Sequence, residues 1–131
     1  MIKILIADDH AVVREGMKQI LSEGSEMVVA AEASNGQEVL DKIREDNFDL
    51  IILDIAMPGI NGLDALKEIK VQKPKLPVLI LSMYPEDQYA ARVLKAGASG
   101  YLTKDSAPDE LIKAIRQISR GERYIGLSCK K

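Results

Sequence analysis

The sequence predicts an α/β fold: a doubly wound, five-stranded parallel sheet with helices on both faces. Three observations predict it. Apolar runs of strand length recur five times along the chain, and segments with helical apolar spacing lie between and after them. The third run, Leu50 to Ile55, is large and apolar at five of its six positions, the composition of a strand buried on both faces. Strand and helix alternating in this way, joined by right-handed crossovers, restrict the topology to a doubly wound sheet.

Each element follows in order. The first strand is IKILIA (2–7), which runs into Asp8 and Asp9. A helix over 11–24 places Val13, Met17, Ile20 and Leu21 on one face. MVVAAE (27–32) is the second strand, followed by Ser34, and a helix over 36–46 carries Val39, Leu40 and Ile43. DLIILD (49–54) is the third strand, and its run breaks at Met57, Pro58 and Gly59, which shape a loop. Gly62 allows a tight backbone at the start of a helix over 62–72 with Leu63, Leu66 and Ile69 on its apolar face. LPVLIL (76–81) leads to Ser82, and the helix 86–96 begins at Pro85, presents Ala90, Val93 and Leu94, and stops at Gly97. SGYL (99–102) is the short fifth strand, with Lys104 just beyond it. The last helix, 107–120, is introduced by a capping-box pattern, Ser106 with Asp109, has Pro108 in its first turn, and ends at Gly121. Its stripe of Leu111, Ile112, Ile115 and Ile118 belongs to the core. The chain holds no internal repeat or low-complexity tract, and the tail ERYIGLSCKK is the one candidate linker.

Size and charge narrow the classes of function. A chain of 131 residues, 47% hydrophobic and 29% charged, suits one compact globular domain. A formal charge of −2 argues against a nucleic-acid surface within the chain, since such surfaces are usually strongly basic. No apolar run approaches the ~20 residues of a membrane span. The strand-like start argues against a signal peptide, and the single Cys129 against an internal disulfide, so a reducing cytoplasm is expected. Cys129, among polar neighbours near the chain end, reads as an incidental thiol.

In doubly wound sheets, ligands bind beyond the carboxyl ends of the strands. The first strand delivers Asp8 and Asp9 there, the third Asp54, the fourth Ser82, and Lys104 follows the fifth. Glu32 and Ser34 follow the second, remote from the centre if that strand lies at the edge. Crowded carboxylates raise one another's pKa unless a cation compensates, and one lysine does not balance three acids. A hard divalent cation with oxygen ligands does, and Mg²⁺ fits best. With Lys104 it would attract a phosphoryl group, and Asp54, central on its rigid apolar strand, is the candidate nucleophile forming an acyl phosphate. Asp8 and Asp9 would hold the metal, with the backbone carbonyl of Ala56 as a further oxygen.

LIADDH, LDIAMPGINGLDAL, LILSMY and KAGASGYLTKD, in this order and spacing, resemble the receiver domain of two-component response regulators over residues 1 to about 121. The resemblance implies a flavodoxin-like (βα)5 fold with strand order 2-1-3-4-5. Asp54 matches the phospho-acceptor, Asp9 the direct metal ligand, and Asp8 the acid that acts through metal-held water. Lys104 matches the lysine on the phosphoryl oxygens, Ser82 the hydroxyl drawn toward the phosphoryl group, and Tyr101 the aromatic that changes rotamer with it. His10 is set aside as surface decoration, because the phosphoryl-donating histidine of this family belongs to the partner kinase. Receivers often have Lys-Pro with a cis bond where this chain has Lys104-Asp105, which leaves that loop's conformation open.

DDH, SMY and YLTKD are similar to receivers that precede a LuxR/NarL-type helix-turn-helix domain. Residues 122–131 then read as the start of a linker to an output domain absent from this chain, with transcription as the output; a stand-alone receiver is the alternative. The implied partners are a sensor histidine kinase, the protein's own output domain, and a second copy on phosphorylation. Switching would draw Ser82 inward and let Tyr101 bury its ring, repacking the face of the fourth helix, fifth strand and fifth helix, with the first helix as a second candidate output surface. No turnover of an external substrate is expected. An aspartyl-phosphate phosphohydrolase would need a second acid two residues after the nucleophile, where this chain has Ala56. A degenerate receiver would lack an acid or the lysine, and a flavodoxin-type nucleotide binder would carry a Gly-rich loop after the first strand.

Overall fold

The computed structural model describes residues 1–57, 59–60, 62–82 and 87–125. The expectations placed on Pro58, Asn61, Met83, Tyr84, Pro85 and Cys129 lie outside them. Among the described residues the order is β1 (Ile2–Ala7), α1 (Ala11–Leu21), β2 (Met27–Ala33), α2 (Gly36–Glu45), β3 (Leu50–Asp54), α3 (Gly62–Gln72), β4 (Val78–Ser82), α4 (Asp87–Lys95), β5 (Gly100–Thr103), α5 (Ala107–Ser119) and β6 (Tyr124–Ile125). The parallel sheet has the expected order β2-β1-β3-β4-β5 and gains β6 beyond β5. This sixth strand falls in the segment that the sequence marked only as the beginning of a linker.

Both faces of the sheet are buried, as its continuous apolar strands require. Side chains alternate along each strand, so one face of the central strands offers Leu5, Ile51, Leu53, Val78 and Ile80 to α2, α3 and α4. The other face offers Ile4, Ile6, Leu50, Ile52, Leu79 and Leu81 to α1 and α5. The helical stripes land where the spacing put them: Val39, Leu40 and Ile43 in the first core, Met17, Leu21, Leu111, Ile115 and Ile118 in the second.

Helix α1, strand β4 and the start of α5 depart from the expectation. Helix α1 stops at Leu21 rather than continuing to 24, because Ser22, Glu23 and Gly24 turn back on carbonyls of the last turn. β4 runs Val78–Ser82, later than 76–81, so that Ser82 belongs to the strand. The expected capping box at α5 does not form. Ser106 has helical rather than extended angles (φ −92°, ψ −9°), and its hydroxyl is engaged with Thr103, 3.0 Å from the carbonyl oxygen and 2.9 Å from Oγ1. The reciprocal cap sits instead at α2, where Asn35 Oδ1 accepts from Glu38 N–H at 2.9 Å and Glu38 Oε1 accepts from Ser34 N–H at 2.7 Å. Gly97 and Gly121 follow α4 and α5 with φ of +109° and +89°, the left-handed geometry expected of helix stops.

Candidate functional site

Parallel register brings the acids together. Ala7 pairs with Leu53, so Asp8 follows β1 at the level where Asp54 closes β3. Asp54 pairs with Leu81, and Ser82 with Thr103, which brings Ser82 and Lys104 to the same rim. The backbone N–H of Lys104 donates to the Ser82 carbonyl at 2.8 Å, pinning the base of the lysine to the end of β4. Lys104 Nζ then stands 3.0 Å from Asp8 Oδ2 and 3.3 Å from Asp54 Oδ2. One ammonium bridges two carboxylates that lie 46 residues apart in sequence.

Burial makes this an electrostatically demanding arrangement. Asp8 and Ser82 are 0% exposed and Asp54 is 2% exposed. Burial pushes the Asp54 carboxyl up, and Asp8 pushes it further; the Ala56 N–H at 3.1 Å and Lys104 pull down without reversing the shift. For Lys104, burial alone would lower the pKa, but Asp8 and Asp54 outweigh it and the net shift is upward.

Asp9, partly exposed, lies at the mouth of the site, where its Oδ1 is 3.0 Å from His10 Nδ1. Asp8 Oδ1 accepts from the His10 N–H at 2.8 Å and lies 3.3 Å from the same Nδ1. Carboxylate oxygens of Asp8, Asp9 and Asp54 and a ring nitrogen of His10 all fall within 4.8 Å of one another. The sequence reading had set His10 aside; its one signal was adjacency to the acidic pair. The structure brings its ring against both acids.

The oxygen set fits a hard divalent cation. Asp8 Oδ2 and Asp54 Oδ2 are buried and receive no directed hydrogen bond among the described residues. Lys104 stands beside both as an ion pair, leaving lone pairs on oxygen ligands of the kind Mg²⁺ prefers.

The loop after β3 holds its form through Gly62. A Cβ there would stand 2.3 Å from Ile55 Cα and 2.7 Å from the Ile55 carbonyl oxygen, so only glycine lets α3 start this close to Asp54. Glu32 and Ser34 stay out of the cluster, as their place on the edge strand implied. Arg14 and Lys18 bind Glu32, each at 2.9 Å, and Ser34 turns to Glu38. Tyr101 is fully buried, packed in the core cluster that includes Ala90 and Val93 of α4. The Lys104-Asp105 bond is trans: no cis peptide occurs among the described residues.

A family profile for the response regulator receiver domain matches residues 4–116. The chain belongs to that family. Response regulator GacA of Pseudomonas aeruginosa is 38% identical over 125 residues, covering 95% of this chain and 58% of that protein. Oxygen regulatory protein NreC of Staphylococcus epidermidis is 44% identical over 126 residues, with the same two coverages, 95% and 58%. The receiver thus spans a little over half the length of these curated relatives. Among solved structures, a LuxR-family two-component response regulator from Aurantimonas sp. SI85-9A1 superposes with a TM-score of 0.94 at 33% identity, covering 98% of this chain and 92% of that one. The isolated receiver domain of RcsB from Salmonella enterica serovar Typhimurium, solved with the phosphomimetic BeF3−, gives 0.91 at 26% identity, covering 98% and 95%. These neighbours support the LuxR/NarL-type resemblance drawn from DDH, SMY and YLTKD. Receivers are signalling switches, and no described helix of this one is long and apolar enough to cross a membrane.

Proposed function

We propose that this receiver takes a phosphoryl group on Asp54 from a phosphohistidine of a partner kinase and converts that event into repacking around β4 and β5. The observation that carries the reading is the convergence of Asp8, Asp9 and Asp54 with Lys104, whose ammonium lies 3.0 and 3.3 Å from two of the three acids. An Asp54 carboxylate oxygen attacks phosphorus as the phosphorus–nitrogen bond of the donor breaks. The bonding pair leaves with the imidazole nitrogen, which takes up a proton, and an acyl phosphate remains on Asp54. Burial strips water from the carboxylate before it attacks, and the Ala56 N–H orients its Oδ1. Lys104 meets the incoming phosphoryl oxygens and takes over charge that Asp54 gives up.

Asp8, Asp9, Asp54 and the backbone carbonyl of Ala56 would hold Mg²⁺, which when bound spreads the charge of the phosphoryl oxygens. His10, against both Asp8 and Asp9, orients the outer acid. Ser82 donates its hydroxyl to the phosphoryl group, and the inward position of Tyr101 is then favoured. One charge-assisted contact is worth ~1.5–3 kcal/mol, enough to change a two-state population by about tenfold or more.

The LuxR-family neighbour and the partial coverage of the relatives support a reading in which residues 122–131 lead into a DNA-binding output domain, so that transcription is the controlled process. A second copy is the expected partner on phosphorylation. Intact mass after incubation with Mg²⁺ and acetyl phosphate tests the first claim. A gain of one phosphoryl mass that is absent from Asp54→Asn supports it; full labelling of Asp54→Asn overturns it.

A further inference from the structure

The chain beyond α5 folds back onto the sheet. Gly121, with φ of +89°, reverses its direction. Gln117 holds the return on both sides: its carbonyl accepts the Glu122 N–H at 3.2 Å, and its side-chain Nε2 donates to the Arg123 carbonyl at 2.8 Å. The Tyr124 N–H then donates to the Ser99 carbonyl at 3.0 Å, and β6 pairs Tyr124 with Gly100 and Ile125 with Tyr101. The Tyr124 side chain is 5% exposed and enters the core shared by β5, α1 and α5. There its hydroxyl donates to Glu110 Oε1 at 2.6 Å, across two buried residues on different elements. Burial, reinforced by Glu110, pushes the Tyr124 hydroxyl up to about 12, so it remains a donor at neutral pH.

Gly100 makes this packing possible. A Cβ at that position would stand 2.8 Å from the Tyr124 carbonyl oxygen, 2.9 Å from Leu79 Cδ1 and 3.0 Å from Ile118 Cδ1. The glycine of the SGYL run, read from sequence as part of a strand, is thus a seat for the returning chain. β5 is four residues long, holds Tyr101 in its middle, and is followed at once by Lys104. Its inner edge is bonded to β4 and its outer edge to β6. A displacement of β5 therefore reaches β6 directly through backbone hydrogen bonds.

We propose that Tyr124 and Glu110 form a latch that ties the chain leaving the domain to β5, so that the state of the Asp54–Lys104 site governs whether β6 is held or released. The inference rests on the phosphorylation reading above. The structure combines a fully buried Tyr101 with a seated β6, so filling the site, which in the phosphorylation reading favours the buried ring, is expected to tighten the latch.

Hydrogen exchange at the Tyr124 amide, with and without Mg²⁺ and beryllofluoride, tests this on the whole chain, while ¹⁹F NMR of bound fluoride reports occupancy of the site. Occupancy is expected to slow Tyr124 exchange roughly tenfold. Tyr124→Phe should retain the bound-fluoride signals, exchange roughly tenfold faster, as for a lost hydrogen bond of about 1.4 kcal/mol, and lose the response to beryllofluoride. Glu110→Gln keeps an acceptor for the hydroxyl and should keep the response. Bound fluoride with an unmoved Tyr124 amide in the wild type, or a full response in Tyr124→Phe, overturns the latch and leaves the phosphorylation reading standing. Absence of bound-fluoride signals removes that reading, and the latch falls with it.

Discussion

Removing the charge of Asp54 should make the metal-free protein more stable at neutral pH. Asp54 is 2% exposed, and its carboxyl is raised above the ordinary 3.8, chiefly by burial. A carboxylate whose folded pKa lies above its unfolded value opposes folding once it ionises. Stability is therefore lost as pH rises from about 3.8 through the raised folded value, and the loss persists above it. Asparagine keeps the shape and retains an oxygen for the Ala56 N–H. It removes the buried charge, at the cost of one of the two acids facing Lys104. The desolvation of a poorly compensated polar group is worth ~1–3 kcal/mol, and the opening toward Asp9 argues for the lower part of that range. With a urea m-value of ~1–3 kcal/mol/M, the midpoint of Asp54→Asn should lie up to about 1 M above that of the wild type at pH 7 in EDTA. The difference should shrink as pH falls through the raised folded value and past 3.8, and vanish only well below 3.8, where the wild-type carboxyl is protonated in both states. Mg²⁺ at a hundred times its Kd should stabilise the wild type by ~2.7 kcal/mol and reverse the ranking, because the variant lacks one of the acids. A wild type as stable as the variant at pH 7 in EDTA would refute the account of Asp54 as a carboxylate held at a cost.

Lys104→Ala leaves Asp8 and Asp54 without their shared cation and should cost ~2–4 kcal/mol at pH 7 in urea unfolding, with part of the loss recovered as pH falls through the raised value of the Asp54 carboxyl. Because the Lys104 pKa is raised in the fold, its contribution is complete below 10.5 and fades as pH climbs above that value, which a wild-type titration of stability should reveal. Gly62→Ala drives a methyl into the backbone of Ile55 and Asp54 and should lower stability by ~2–4 kcal/mol, with weaker Mg²⁺ binding by calorimetry because the acceptor loop must shift. Asn35→Ala removes the cap of α2 at about 1 kcal/mol and should leave phosphoryl uptake at the wild-type rate. A drop in uptake for Asn35→Ala would show that α2 is coupled to the site.

Much of the site was legible because strand ends are rigid and the rim of a doubly wound sheet is predictable. Asp8, Asp9, Asp54, Ser82 and Lys104 each stand one or two positions from the end of an apolar run, so placing the strands placed the residues. His10 was not legible in this way. Its ring reaches the cluster through the path of the chain between β1 and α1, and adjacency to two acids does not specify which way an imidazole turns. The cap of α2 and the absent cap of α5 were missed for a related reason. Ser106 has the residue type of a cap but not its backbone angles, and those angles are set by the turn that follows β5.

The sequence by itself determined the layers, because period and apolarity decide which faces are buried, and the strand ends marked which acids would share one rim. The strand order came from the resemblance to the receiver family. Only the tertiary structure decided what a tail of mixed composition does once it passes Gly121. Nothing in ERYI distinguishes a linker from a strand until Gly100 opens a seat on β5 and Glu110 offers an acceptor to Tyr124. A two-residue strand has no periodicity to read. Its stability comes from partners fourteen and more residues away, and that information exists only when the chain has folded.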